Sequence, residues 1–259
     1  MTPDAAETRA LLAALAWQIE AGVDEAVGED PVDRFAPPPA PPRATAPAQA
    51  PAPPLAAAED PVSEAGRLAA DAPDLESLRA AMASFEGCAL KKGARNLVFA
   101  DGTPGAPLMI VGEAPGRDED REGLPFVGRS GRLLDAMLAA IGRNRAEAAA
   151  EQAAYITNVL PWRPPQNRDP STDEMAMMKA FLDRHIALAR PSVLLLMGNA
   201  AAKTLLETGT GITRLRGTWA EVQGIPAMPT FHPAALLRNP AQKAPVWADL
   251  LAVKARLDG

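Results

Sequence analysis

The chain has 259 residues, a formal net charge of −6, 27 prolines and a single cysteine. One cysteine closes no intramolecular disulfide and builds no cysteine metal cage, and no apolar run reaches the ~18 residues of a membrane span, which argues against a disulfide scaffold and a membrane protein. The acid is unevenly placed: residues 1–75 hold 13 Asp or Glu and 4 Arg, a net of −9, so the remainder carries +3 and is free to face nucleic acid.

The first residues, MTPDAAETR, lack the basic start and apolar core of a signal peptide, so a cytoplasmic location is expected. Within residues 1–30, Leu11, Leu12, Leu15 and Ile19 fall at helical spacing and predict a short amphipathic helix. Such a helix either docks on its own domain or serves as a tethered peptide for a protein partner. Residues 31–62 then hold 11 of the 27 prolines, interleaved with alanine. That composition nucleates no helix and buries little apolar surface, so 31–75 is expected to be a disordered linker. Residues 76–259 remain as one folded domain, expected to be a monomer.

From residue 107 onward, strand and helix patterns alternate. PLMIVGE (107–113) is an apolar strand and SGRLLDAMLAAIG (130–142) a helix closed by glycine. NRAEAAAEQAA after it reads as a tolerated surface loop. AYITNVL (154–160) is the second strand, and 171–189 a helix opened by a Ser/Thr cap with acids in its first turn. SVLLLMG (192–198) is the third strand, with a helix at 199–207; a fourth strand lies in 225–233 and a last helix runs about 240–257. Strands apolar on both faces and separated by helices predict a three-layer α/β/α fold on a mostly parallel four-stranded sheet. Functional loops of such sheets lie beyond the carboxyl ends of the strands.

Three of those loops carry unusual chemistry. GEAPGRDEDREGLPFVG (112–128) lets the backbone approach a ligand at its glycines and then sets five carboxylates within eleven residues, a loop that is either solvated or placed to steady a developing positive charge. Phe126, read as exposed in this loop, is either core or a platform for a planar base. ITNVLPWRPPQNRDP (156–170) offers Asn158, either a turn former or an amide matched to the N3–H and O4 edge of uracil, and Arg163 and Arg168 among prolines as phosphate contacts. TFHPAALLRNP (230–240) places His232 directly after a strand, whereas His185 lies inside a helix pattern and reads as structural.

Together these segments resemble the uracil-DNA glycosylase superfamily, specifically its family 4 branch. They follow in order as Gly112-Glu113-Ala114-Pro115-Gly116, Pro125 to Gly128, Ile156 to Asn158 with Arg163 to Arg168, and His232 to Arg238. LRGTW (215–219) also matches, and the resemblance covers about 85–258. It implies hydrolysis of the N-glycosidic bond of deoxyuridine in single- or double-stranded DNA. Phe126 would stack the uracil, Asn158 read its edge, and His232 donate to O2. The turn Gly112, Ala114, Pro115 and Gly116 would line the substrate. Glu113 and Glu119 are the candidates to orient water, Glu119 alternatively guarding the pocket near C5. Arg163, Arg168, Arg216 and Arg238 would meet phosphates. Leu236 would fill the gap a flipped nucleotide leaves, with core packing expected for at least one of Leu236 and Leu237. The alternatives are a non-catalytic or covalent uracil-DNA binding protein, or a glycosylase for another deaminated base. The first is weakened because no histidine or insertion follows Asn158.

The family ordinarily carries a four-iron, four-sulfur cluster on four cysteines. The matching positions here are Phe85, Cys88, Trp162 and Met178. A cubane that takes four thiolates has one, so no metal or other cofactor is expected, with a hydrophobic plug joining the same segments.

Overall fold

The computed structural model describes residues 4–22, 60–147 and 149–259. The chain divides into two compact units, Met1–Leu55 and Ala56–Gly259. In the first, helix α1 (Ala5–Glu20) starts at Asp4, whose carboxylate accepts from the amides of Ala6 and Glu7 at 2.7 and 2.9 Å. Leu11, Leu12, Leu15 and Ile19 lie exposed along it. The part of the expected linker from 31 to 59 lies outside the described residues.

The second unit begins earlier than the sequence suggests. Helices α2 (Pro61–Asp71) and α3 (Leu75–Ser84) precede the sheet, and α2 lies within the segment expected to be linker. Pro61 occupies the first turn, where its missing N–H costs nothing, and the Asp60 carboxylate accepts from the Ser63 amide at 3.3 Å. The last proline of the 31–62 run is a helix start. Ala65, Ala69, Leu78 and Met82 are buried, and the Arg184 guanidinium donates twice to the Ala72 carbonyl at 2.9 and 2.6 Å, fixing the α2–α3 corner.

The sheet has six strands rather than four: β1 (Asp101–Gly102), β2 (Leu108–Gly112), β3 (Ala154–Asn158), β4 (Val193–Met197), β5 (Ala220–Val222) and β6 (Ile225–Thr230), in the order β1-β3-β2-β4-β6-β5. The four central strands are parallel, and the short edge strands β1 and β5 pair antiparallel. Side chains alternate between two cores. Met109, Val111, Leu194 and Leu196 face a cluster shared with α2, α3 and α6 (Thr172–Ala189). Leu108, Ile110, Leu195 and Met197 face one shared with α5 (Arg129–Ala140) and α10 (Lys243–Asp258). The fold is therefore α/β, with helices over both faces. Leaving β2, the chain reaches β3 on one side and β4 on the other, so the crevice above β2 is the switch point where such folds take ligands.

Candidate active site

The pocket is built by register. Gly112 ends β2 directly opposite Asn158, which ends β3. Beyond the strands the two loops stay joined, the amides of Val159 and Leu160 donating to the carbonyls of Gly112 and Glu113 at 3.0 Å each. β6 delivers His232 to the same end, where it opens helix α9 (Pro233–Arg238). Phe126 enters from the turn before α5. The result is a cavity of about 510 Å³ lined by Glu113, Ala114, Gly116, Glu119, Phe126, Asn158, His232 and Arg238. That size suits a nucleobase with its sugar.

Three groups converge there. The rings of Phe126 and His232 stack with centroids 5.2 Å apart and planes at 27°. Both the Asn158 amide oxygen and the Phe126 ring edge crowd Gly112 so closely that a Cβ there would lie 2.4 Å from Oδ1 and 2.6 Å from Cε2. Asn158 is buried, and its Oδ1 has no hydrogen-bond partner. A buried orphan acceptor costs about 1–3 kcal/mol in the empty site, which a ligand N–H would recover. The His232 Nδ1 accepts from the Ala234 amide at 3.1 Å, which leaves the ring proton on Nε2 as a donor. Burial, and then the Arg238 charge, hold the His232 pKa down to about 4. The imidazole is therefore neutral at physiological pH.

The five carboxylates of the 112–128 loop separate into different roles. Residues 117–122 form a short helix, α4 (Arg117–Glu122). Asp120 is buried and accepts from the amides of Arg95 and Asn96 at 2.8 and 3.3 Å. Asp118 and Glu122 pair with Arg121. Glu119 Oε1 accepts from the amides of Val127 and Gly128, both at 3.1 Å, and Oε2 lies over Gly116. Glu113 lines the cavity, and burial, with Asp169 nearby, raises its pKa above the ordinary glutamate value. Pro115 is buried in the turn.

Several expectations are corrected. Phe126 is a buried residue, not an exposed one, and it lines the cavity. Leu236 is also buried, packing beneath α9 with Leu250 and Val253, so it cannot enter DNA; its neighbour Leu237 is exposed. Arg216 is turned inward: its guanidinium pairs with buried Asp249, which also accepts from Thr230 Oγ1 at 2.7 Å, and it donates to the Pro245 carbonyl. It anchors α10 rather than facing phosphate. Arg168 donates from both terminal nitrogens to Glu174, at 2.9 and 2.5 Å, tying the proline-rich loop to the capping box of α6. Arg163 Nε is held by Asn167 Oδ1 at 2.9 Å and lines a separate, neighbouring depression that shares Glu119, Ser130 and Asn167 with the cavity, whereas Arg238 lines the cavity itself. Sequence reasoning missed Ser130, Asn167, Asp169 and Ala234 as lining residues, because small residues in loops and at helix starts carry no signal that tells a cavity wall from open surface.

Phe85, Cys88, Trp162 and Met178 are all buried in one cluster. The Phe85 ring meets Phe181 edge-on at 5.5 Å. Burial raises the Cys88 thiol pKa, the reverse of what a thiolate ligand needs. This donor set does not fit an iron–sulfur cluster, and among the described residues no group of three or more His, Cys, Asp or Glu is placed to hold a metal ion.

A mostly parallel sheet whose strand-end loops bring a ring, an amide and an imidazole to one cavity defines an α/β protein with a site suited to a planar heterocycle. Comparison with known proteins makes this specific. Residues 99–251 match the family model of the uracil DNA glycosylase superfamily. The type-4 uracil-DNA glycosylase of Sulfurisphaera tokodaii is 39% identical over 175 residues, covering 64% of this chain and 77% of the relative. That of Archaeoglobus fulgidus is 40% identical over 165 residues, 61% and 80% of the two chains. That of Thermotoga maritima is 37% identical over 154 residues, 59% and 77%. The chain belongs to the uracil-DNA glycosylase superfamily.

Proposed function

We propose that the protein is a DNA-repair hydrolase that excises uracil from DNA, leaving an abasic site. The buried amide of Asn158 carries this reading, because it lines a pocket already walled by an aromatic ring and its Oδ1 has no partner within the protein. Uracil supplies N3–H for that oxygen and O4 for the amide nitrogen.

As the C1′–N1 bond breaks, positive charge grows on the sugar and the bonding pair leaves on the base, delocalised onto O2. The His232 Nε2–H donates to O2. A neutral imidazole with a depressed pKa fits here, since it stabilises the anion without surrendering its proton. Water attacks C1′, and its proton passes to Glu113, whose raised pKa makes it a better base than an ordinary surface carboxylate. Glu119 is fixed through Oε1 by two amides of the 125–128 turn, which suits it to shaping the pocket. Arg238 in the cavity and Arg163 beside it are the cations left to meet phosphates, and exposed Leu237, rather than buried Leu236, is the side chain available to fill the gap of a displaced nucleotide. No cluster takes part; burial of Phe85, Trp162 and Met178 joins the segments instead.

The test is excision from single- and double-stranded uracil oligonucleotides followed by alkaline cleavage. Wild type should cut, with His232→Ala slowed about 10²–10³-fold and Asn158→Ala comparably impaired. Full activity in both variants would refute the assignment.

A further inference from the structure

The Phe126 ring reaches the cavity through an unusual backbone. Its φ is +54°, a left-handed conformation that a bulky residue rarely adopts. Its carbonyl lies so close to α5 that a Cβ on Gly131 would sit 1.7 Å from the oxygen. Such a conformation persists only where the surroundings impose it. The imposing group comes from the loop after α5, the segment whose sequence reads as tolerated surface variation.

Arg145 is the agent. Its side chain is 13% exposed, and it donates from Nη1 to the Pro125 carbonyl at 2.9 Å and from Nη2 to the Phe126 carbonyl at 3.0 Å. The guanidinium is itself fixed by Asp135, at 2.8 Å from Nε, and by Asp101, at 3.0 Å from Nη1. Opposite, Glu119 takes the amides of Val127 and Gly128. Four consecutive residues are thus held, two carbonyls by a cation and two amides by an anion. We propose that Arg145 is a positioning residue for uracil excision, acting through Phe126 by locking the 125–128 turn so that the ring presents its face to the base. This rests on Phe126 being the stacking platform described above.

The inference separates Arg145 from any merely stabilising arginine. A planar fork with five donors can hold both carbonyls and both carboxylates at once; an ammonium with three donors on a flexible stem cannot. Displacing a stacking ring by about 1 Å costs on the order of 10²-fold in rate. Arg145→Ala should therefore slow single-turnover excision roughly 10- to 100-fold, with Arg145→Lys between it and wild type.

The deciding measurement is a double-mutant cycle with Phe126→Ala on single-stranded uracil DNA, run well below each variant's melting temperature. If Arg145 works through the ring, Arg145→Ala in the Phe126→Ala background changes the rate by less than about twofold. An equal loss in both backgrounds would mean a general effect on the fold and would overturn the proposal. Wild-type rates for Arg145→Ala and Arg145→Lys beside a crippled Phe126→Ala would overturn it while leaving the platform intact. A fully active Phe126→Ala would remove the platform, and the positioning role with it. Should Arg145→Ala not fold, Arg145→Lys and Asp135→Asn, which frees the guanidinium on one side, complete the same cycle.

Discussion

Gly112→Ala is the most informative single substitution in the pocket, because it adds one methyl group and nothing else. The glycine backbone is not left-handed, so alanine is locally compatible. The new Cβ would stand 2.4 Å from Asn158 Oδ1 and 2.6 Å from two atoms of the Phe126 ring. Ordinary contact is about 3.5 Å, so one neighbour must retreat by roughly 1 Å. Neither retreats freely, since Asn158 is buried on the strand paired with β2 and Phe126 is held by its backbone. A 1 Å misplacement costs about 10²-fold in rate, or about 2.7 kcal/mol of transition-state stabilisation. Overpacking adds about 1–3 kcal/mol of destabilisation, which at about 2–4 °C per kcal/mol leaves a domain of this size folded at 25 °C. Single-turnover excision at 25 °C, beside a melting curve, reads both effects. Gly116→Ala is the comparison: its Cβ would meet only Glu119, 2.7 Å from Oε2, the carboxylate oxygen not held by the amides of Val127 and Gly128, so the loss should be smaller. Wild-type rates in Gly112→Ala, or equal losses in the two variants, would refute the reasoning.

The Glu113 role implies a pH dependence. Burial raises its pKa, so the working carboxylate is lost on the acid side sooner than for an ordinary glutamate, and the excision rate should climb with pH through a value above 4.5. Glu113→Gln should be slow and lack that limb in a pH–rate profile. His185 governs acid stability: buried, stacked on Phe99 and bonded to Tyr155 Oη at 2.9 Å, its pKa is depressed to about 3. The unfolded chain therefore takes up the proton first, and stability present above pH 6.5 falls by about 2 kcal/mol between pH 7 and pH 5. Urea titrations at both values should show that fall, and His185→Leu, less stable throughout, should lack it. Leu236→Ala should lower stability by about 2–5 kcal/mol as a core truncation, whereas Leu237→Ala should leave melting unchanged and slow excision more from duplex than from single strands. The reverse pattern would return Leu236 to the DNA.

The parts of the fold legible in the sequence are those where burial imposes a repeated pattern. LMIVG, AYITN and VLLLM are wholly buried strands, and an apolar run flanked by helices announces them. The edge strands DG and AEV are two and three residues long, too short to show any period. Helix α2 was hidden because Pro61, at a position where proline favours a helix, continues a proline-rich run. In the site, the groups at strand ends follow from the architecture: once β3, β2, β4 and β6 run parallel side by side, Gly112, Asn158 and His232 emerge at one end. What direction a side chain takes from a short helix does not follow. Leu236 and Leu237 are adjacent and chemically identical, and only the packing of α9 decides that the first is core and the second exposed. Arg145 was illegible for a related reason, since an arginine in an alanine-rich loop gives no sign that its partners are carbonyls about twenty residues earlier.

The plug and the pocket also belong together mechanically. Phe85 and Cys88 follow α3, Trp162 sits in the loop after β3, and Met178 lies on α6, so one buried cluster joins three separate segments. Trp162 is next to Arg163, and the same loop supplies Asn167 and Asp169 to the cavity. Burying a large apolar side chain contributes about 1.5–3 kcal/mol, and here it fixes a loop that would otherwise be a free excursion among prolines. The Arg168–Glu174 pair fastens the far end of that loop to the start of α6. A metal cluster would hold these segments only while four thiolates stayed reduced and ligated. A hydrophobic cluster holds them through the same burial that stabilises the rest of the domain. The placement of the cavity rim is thereby coupled to global folding, and a single buried cysteine is compatible with an intact active site.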